Sequence, residues 1–186
     1  LAGSLSAVLL MAVWLAILAG WGEARPGLPP IQWHAHEMLF GFGGAVVAGF
    51  LLTAVPNWTN LPTPKGLPLG ALAALWLVGR LGSWSGGGAG EALDLLFLPA
   101  LGWSLAGPLW KAGKVQNLVF LPVLAALWAA NLAFWNGYEA TSLTLAIYGL
   151  LLLIALVGGR VIPFFTQRAL GNQPIRHPLL EGLALA

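Results

Sequence analysis

Six long apolar runs, separated by short polar segments, follow one another along the chain. A membrane-spanning helix needs about 20 mostly apolar residues, and the runs that meet this requirement cover residues 1–21, 34–55, 67–84, 93–110, 115–135 and 142–159. The segments between them, GEARPGLPP, PNWTNLPTPKG, SGGGAGEA, KAGK and NGYEA, hold most of the residues that break helices or carry charge. Because these connections are short, we expect neighbouring helices to be antiparallel. The pattern predicts an all-α transmembrane helix bundle of about six spanning helices, formed as a single domain over residues 1–186.

Composition supports this class and excludes several others. Of the 186 residues, 59% are hydrophobic and only 8% are charged, whereas a soluble domain carries about 25% charged residues. The first run lacks a basic n-region and is long enough to span, so we interpret it as a membrane helix rather than a secretion signal. The chain has no cysteine, which excludes disulfides, iron–sulfur clusters and c-type haem attachment within it. No basic patch interleaved with aromatic residues indicates a nucleic-acid partner.

The distribution of Lys and Arg predicts the orientation in the membrane. One side of the predicted bundle receives Lys65, Lys111, Lys114, Arg160, Arg168 and Arg176. The other side receives Arg25 and Arg80, together with the acidic residues Glu23, Glu91, Asp94 and Glu139. Because cytoplasmic loops carry the excess of basic residues, the first side should be cytoplasmic. The N-terminus is then cytoplasmic, and His34 and His36 lie at the outer face of a bacterial inner membrane, about 30 Å across the hydrocarbon from His177.

The stretch IQWHAHEMLF carries two histidines and a glutamate at the entrance of the second run. Ionisable groups at this position are costly unless they have a use, and neutral imidazole is a good ligand for iron and copper. On a regular helix His34 and Glu37 share a face, whereas His36 is about 200° from His34. Either His34 belongs to an unwound entry and folds back beside His36, or the two histidines have different partners. Metal binding, an interfacial polar cap and proton handling are all open interpretations of this stretch.

Three stretches, taken together, resemble a known family. WHAHEMLFGF followed by AGFLLTAVPNWT, and later GGRVIPFFTQRAL, are similar to the signature stretches of the NnrS family of bacterial membrane proteins. The similarity is dense over residues 33–59 and 158–170. It implies a haem- and copper-containing membrane protein with a role in the nitric oxide response, denitrification or protection from nitrosative stress. Family members are about twice as long, so the chain resembles an N-terminal half of a roughly twelve-helix protein, and LLEGLALA would open a seventh helix.

The resemblance also implies roles for individual residues. His34 and His36 become the candidate metal ligands, and Glu37 becomes a residue that orients an imidazole. Arg160, at the inner end of the sixth run, is a candidate for binding a haem propionate or an anionic lipid, although a positive-inside anchor is the simpler role. Asn131 and Tyr148 lie inside apolar runs, where we expect them to hydrogen-bond neighbouring helices. The expected partners are membrane lipid, nitric oxide and a C-terminal half of the chain.

Two other classes of function compete with a haem and copper protein. Half of a transporter would also contain proline-interrupted helices, such as the fourth run with Pro99 and Pro108. Apart from Glu37, however, the interiors of the runs are expected to be uncharged, which disfavours ion coupling at a central site. The second competitor is an assembly protein without a cofactor. Hydrolase chemistry is disfavoured because no Ser/His/Asp set and no HExxH motif is present, and the sequence does not decide whether the chain is an enzyme.

Overall fold

The structure, a computed structural model, describes residues 2–23 and 25–171, and this part is all-α as predicted. In chain order its helices are α1 (Ala2–Leu18), α2 (Pro30–His36), a π-helical segment (Glu37–Gly43), α3 (Gly44–Thr59), α4 (Leu67–Ser85), α5 (Gly88–Lys111), α6 (Val115–Leu118), α7 (Phe120–Trp135) and α8 (Glu139–Leu170). Arg176, His177 and the predicted start of a seventh span lie outside the described residues.

Five helical stretches are long and apolar enough to cross a membrane. They are Pro30–Thr59, Leu67–Ser85, Gly88–Lys111, Val115–Trp135 and Glu139–Leu170. The first predicted run forms only α1, whose 17 residues extend about 25 Å at 1.5 Å per residue. The helix of the sixth apolar run, α8, is longer than the run itself, because it continues through Arg160 and Pro163. The helix of the second apolar run begins earlier than predicted, at Pro30, since proline is well suited to the first position of a helix.

The second span is not a regular α-helix. Between α2 and α3 it contains the π-helical segment Glu37–Gly43, and such segments frequently occur at functional sites. Gly41 lies within this segment where a Cβ atom would be 3.0 Å from the Arg80 guanidinium and 3.1 Å from the Glu37 carboxylate. The absence of a side chain at Gly41 therefore lets Arg80 of α4 reach Glu37.

α5 lies at the centre of the bundle, where α3, α4 and α7 pack against it, whereas α1 packs against the second span. The apolar core at this centre includes four fully buried side chains, three from α5 and one from α7: Leu101, Leu105, Leu109 and Phe120. α4 and α5 form a tight hairpin in which the backbones of Gly82 and Gly90 are in direct contact. α8 packs against α7 along one side, and most of its outer face is exposed. Small residues at helix contacts are typical of membrane bundles, where close backbone approach supplies much of the packing.

Candidate functional site

His36 is completely buried and both of its ring nitrogens have protein partners. Nε2 lies 2.9 Å from Asn131 Oδ1 and 3.3 Å from Asp94 Oδ2, while Nδ1 lies 3.2 Å from Glu37 Oε1. The amide nitrogen of Asn131 donates to Asp94 Oδ2 at 3.0 Å, so its amide oxygen must accept from His36. This arrangement assigns a hydrogen to Nε2 of His36 and leaves Nδ1 facing Glu37.

Glu37 and Asp94 are held by a single buried arginine, Arg80. Arg80 donates to Glu37 Oε1 at 3.1 Å and forms an ion pair with Asp94. Ser83 also donates to Glu37 Oε1, at 2.8 Å, and the indole nitrogen of Trp135 donates to Asp94 Oδ2 at 2.8 Å. Burying two carboxylates in a low-dielectric interior is costly, and the guanidinium between them offsets that cost.

Together these side chains form what we call the buried polar cluster: His36, Glu37, Arg80, Asp94 and Asn131. It joins the second span to α4, α5 and α7, and each member is at most 9% exposed. Asn131 connects helices as predicted, whereas Tyr148 is 64% exposed and has no such hydrogen bond within the described residues.

The expectation that the run interiors carry no charge besides Glu37 is wrong for Arg80 and Asp94. Arg80 lies inside α4, five residues before the helix ends. The contact between α4 and α5 brings it to Asp94, and the opening at Gly41 brings it to Glu37. The sequence signal for this ion pair was the presence of opposite charges, Arg80 and Asp94, in two consecutive apolar runs.

His34 lies on a different face of α2 from His36. Its ring stacks on Trp14 of α1, with centroids 4.3 Å apart and planes 10° apart. Its Nδ1 is buried and has no hydrogen-bond partner among the described residues. The two histidines thus have different partners, and Glu37 is hydrogen-bonded to His36 rather than grouped with His34, because the regular helix ends where Glu37 begins the π-helical segment.

Arg160 lies at the opposite end of the bundle from the buried polar cluster. It donates to Asn117 Oδ1 at 3.0 Å and to the Gln116 carbonyl, and its guanidinium lies over the rings of Trp58 and Phe120. Asn117 and Asn131 are fourteen residues apart on one nearly continuous helix, or about 21 Å at 1.5 Å per residue. The structure therefore does not bring Arg160 together with His34, His36 and Glu37.

The two histidines of the motif, His34 and His36, fit the binding of a metal ion or a haem iron only in part. Within residues 2–23 and 25–171 there is no group of three or more His, Cys, Asp or Glu side chains that could hold a metal ion. His34 fits, because one ring nitrogen has no partner in this part of the chain. His36 fits only at Nδ1, since Nε2 donates to Asn131. A site with three or more such ligands would need donors from outside the described residues.

A family model described as NnrS protein matches residues 1–186. No curated protein and no solved structure matches the chain.

Proposed function

The chain belongs to the NnrS family, and on this basis we propose that it is an inner-membrane protein that binds haem and copper and acts in the bacterial response to nitric oxide. The observation that supports a functional centre, rather than a purely structural bundle, is the buried polar cluster beside His34. Charged side chains inside membrane spans are rare and usually serve a function. When bound, haem iron and copper supply the positions at which nitric oxide binds.

We assign different roles to the residues of the motif. His34 is the proposed ligand, since its Nδ1 has no hydrogen-bond partner in the part of the chain that the structure describes, and its stack on Trp14 fixes the plane of the imidazole. His36 is proposed to bind through Nδ1, which lies 3.2 Å from Glu37 Oε1. In the neutral tautomer that carries its hydrogen on Nε2, Nδ1 and Glu37 Oε1 are both acceptors, so a proton or a metal ion between them is needed to make their approach favourable. Arg80 and Ser83 hold Glu37 in place for this role.

A histidine substitution tests the ligand assignment. We expect His34→Phe to remove or shift the haem Soret band, or to lower bound copper, in the purified full-length protein. Phenylalanine retains an aromatic ring to stack on Trp14 but supplies no nitrogen, so folding should survive. We expect Glu37→Gln to weaken metal affinity by only about 10 to 100-fold, because Glu37 is proposed to orient a metal ligand and not to bind the metal itself.

The matched control is Gln32→Ala, which removes a neighbouring polar side chain of α2 and should leave spectrum and metal content unchanged. If His34→Phe elutes as a folded protein with the wild-type spectrum and metal content, His34 is not a ligand.

The proposed orientation has its own test. A reporter fused after Lys65 or Lys114 should read cytoplasmic, and one inserted near Gly87 should read external, because basic residues concentrate on the cytoplasmic side. The burial of Arg80 removes one of the two basic residues assigned to the outer side, which strengthens the asymmetry. The opposite reporter pattern would place His34 and His36 at the inner face and contradict the orientation.

Half of a transporter is the second candidate, and the buried charges favour it more than the sequence did. Glu37, Arg80 and Asp94 lie within helical segments, and ionisable groups in such positions also mark ion pathways. Liposomes that contain the protein and an internal pH-sensitive dye distinguish the two. A proton flux that depends on the protein and is lost in Glu37→Gln would favour transport.

A further inference from the structure

A cleft at the opposite end of the bundle has the features of a binding site for an anionic amphiphile. It has a volume of about 780 Å³ and lies between α3, α6 and α8. We call it the Arg160 cleft, and define it by Asn57, Trp58, Lys114, Asn117, Arg160 and Phe165. We propose that it binds the phosphate of an anionic phospholipid, whose acyl chain lies in an adjoining apolar groove.

The positive charge in this cleft has no counterion among the described residues. The contacts of Arg160 are an amide oxygen of Asn117, the carbonyl of Gln116 and the two aromatic rings, all of which are neutral. The ion pairs within the described ranges involve Arg25, Arg80 and His36 but neither Arg160 nor Lys114. Two cations therefore line one cleft, and a phosphate is an oxyanion that a guanidinium binds well.

The adjoining groove has the length and polarity that an acyl chain needs. It has a volume of about 680 Å³, shares Phe50 and Val161 with the Arg160 cleft, and is lined throughout by apolar side chains and glycine. It follows α8 from Val161 to Leu150, eleven residues or about 17 Å. Half of the hydrocarbon core of a bilayer measures about 15 Å. The groove can therefore cover one acyl chain over the depth of one leaflet.

The chemistry of the lining favours a lipid over haem at this place. Among the described residues, neither a histidine nor a carboxylate lines the cleft or the groove, so neither supplies an imidazole to an iron. Arg160 is level with Gln116, near the start of the Val115–Trp135 span, where headgroups lie. If the proposed orientation is correct, this is the cytoplasmic leaflet, which contains the anionic lipids. The binding itself does not depend on that orientation or on haem and copper.

Native mass spectrometry of the delipidated full-length protein tests the site. Phosphatidylglycerol and phosphatidylcholine with the same acyl chains are added in turn. We expect one phosphatidylglycerol to bind at least about tenfold more tightly than phosphatidylcholine, and Arg160→Gln to abolish this preference. Arg168→Gln, an exposed arginine further along α8, is the matched control and should keep it. Arg160→Lys retains the charge and should keep part of the preference, which separates loss of charge from loss of folding.

Two further arms identify the ligand. Gly158→Phe fills the apolar groove and should weaken phosphatidylglycerol binding, whereas competition with inorganic phosphate should be weak. Complete displacement by millimolar inorganic phosphate with no effect of Gly158→Phe would assign the cleft to free phosphate and overturn the lipid proposal. Equal binding of the two lipids by the wild type, an unchanged preference in Arg160→Gln, or loss of copurified haem from that variant would also overturn it.

Discussion

Replacing Arg80 with methionine is expected to destabilise the folded protein by about 3 to 5 kcal/mol, the usual cost of removing one partner from a buried ion pair. The guanidinium lies between Glu37 and Asp94, and both carboxylates are almost fully buried. Without it, two negative charges remain in the bundle with only His36 and neutral donors beside them. Unfolding of the detergent-solubilised protein by titration with sodium dodecyl sulfate, followed by circular dichroism, measures the free energy.

Two variants control this prediction. Arg168→Met removes an exposed arginine from α8, and its effect should be small, since exposed charges contribute little. Adding Glu37→Gln and Asp94→Asn to Arg80→Met should recover part of the lost stability, because the uncompensated charges are then gone. A free energy of unfolding for Arg80→Met within 1 kcal/mol of the wild type would contradict the structure of the cluster.

Alanine at Gly90 is expected to destabilise the protein by about 1 to 3 kcal/mol or more, as is usual for overpacking. A Cβ atom at this position would overlap the carbonyl group of Gly82 across the α4–α5 hairpin, and backbone atoms cannot rotate away as a side chain can. The two helices would have to separate, which would also move Arg80 relative to Asp94. The same detergent titration gives the free energy of unfolding.

Gly102→Ala is the matched control for this effect. Gly102 is in the same helix, α5, and a Cβ atom there would contact nothing within 4 Å. Alanine has a helix propensity about 1 kcal/mol better than that of glycine, so this variant should be neutral or slightly stabilising. If Gly90→Ala and Gly102→Ala are equally stable, the close contact between α4 and α5 is absent.

The approximate positions of the five longer spans could be predicted because each is a local property of one apolar run. Run boundaries were less predictable where a residue has two local effects. A proline can either end a helix or begin one, and Pro30 begins α2. Pro163 removes one backbone hydrogen bond but does not end α8. The sequence pattern also predicted a full span from the first run, whereas α1 ends at Leu18, before Gly20 and Gly22.

The buried polar cluster was only half predictable. His36 and Glu37 are conspicuous because they are adjacent in an apolar run, whereas helical periodicity left open whether His34 folds back beside His36 or has a different partner. Arg80 and Asp94 depend on the register of the α4–α5 hairpin, which is set by backbone contact between Gly82 and Gly90. The π-helical segment also changes the direction of Glu37, and no simple sequence period indicates such a segment.

An absorption spectrum with metal analysis, recorded on the detergent-purified full-length protein, tests the central proposal most directly. If the protein uses His34 and its surroundings to bind haem and copper, the wild type should show a haem Soret band that shifts on addition of nitric oxide, together with bound copper. A folded, colourless protein that contains neither iron nor copper, and acquires neither when haemin and copper are supplied, would contradict the proposal.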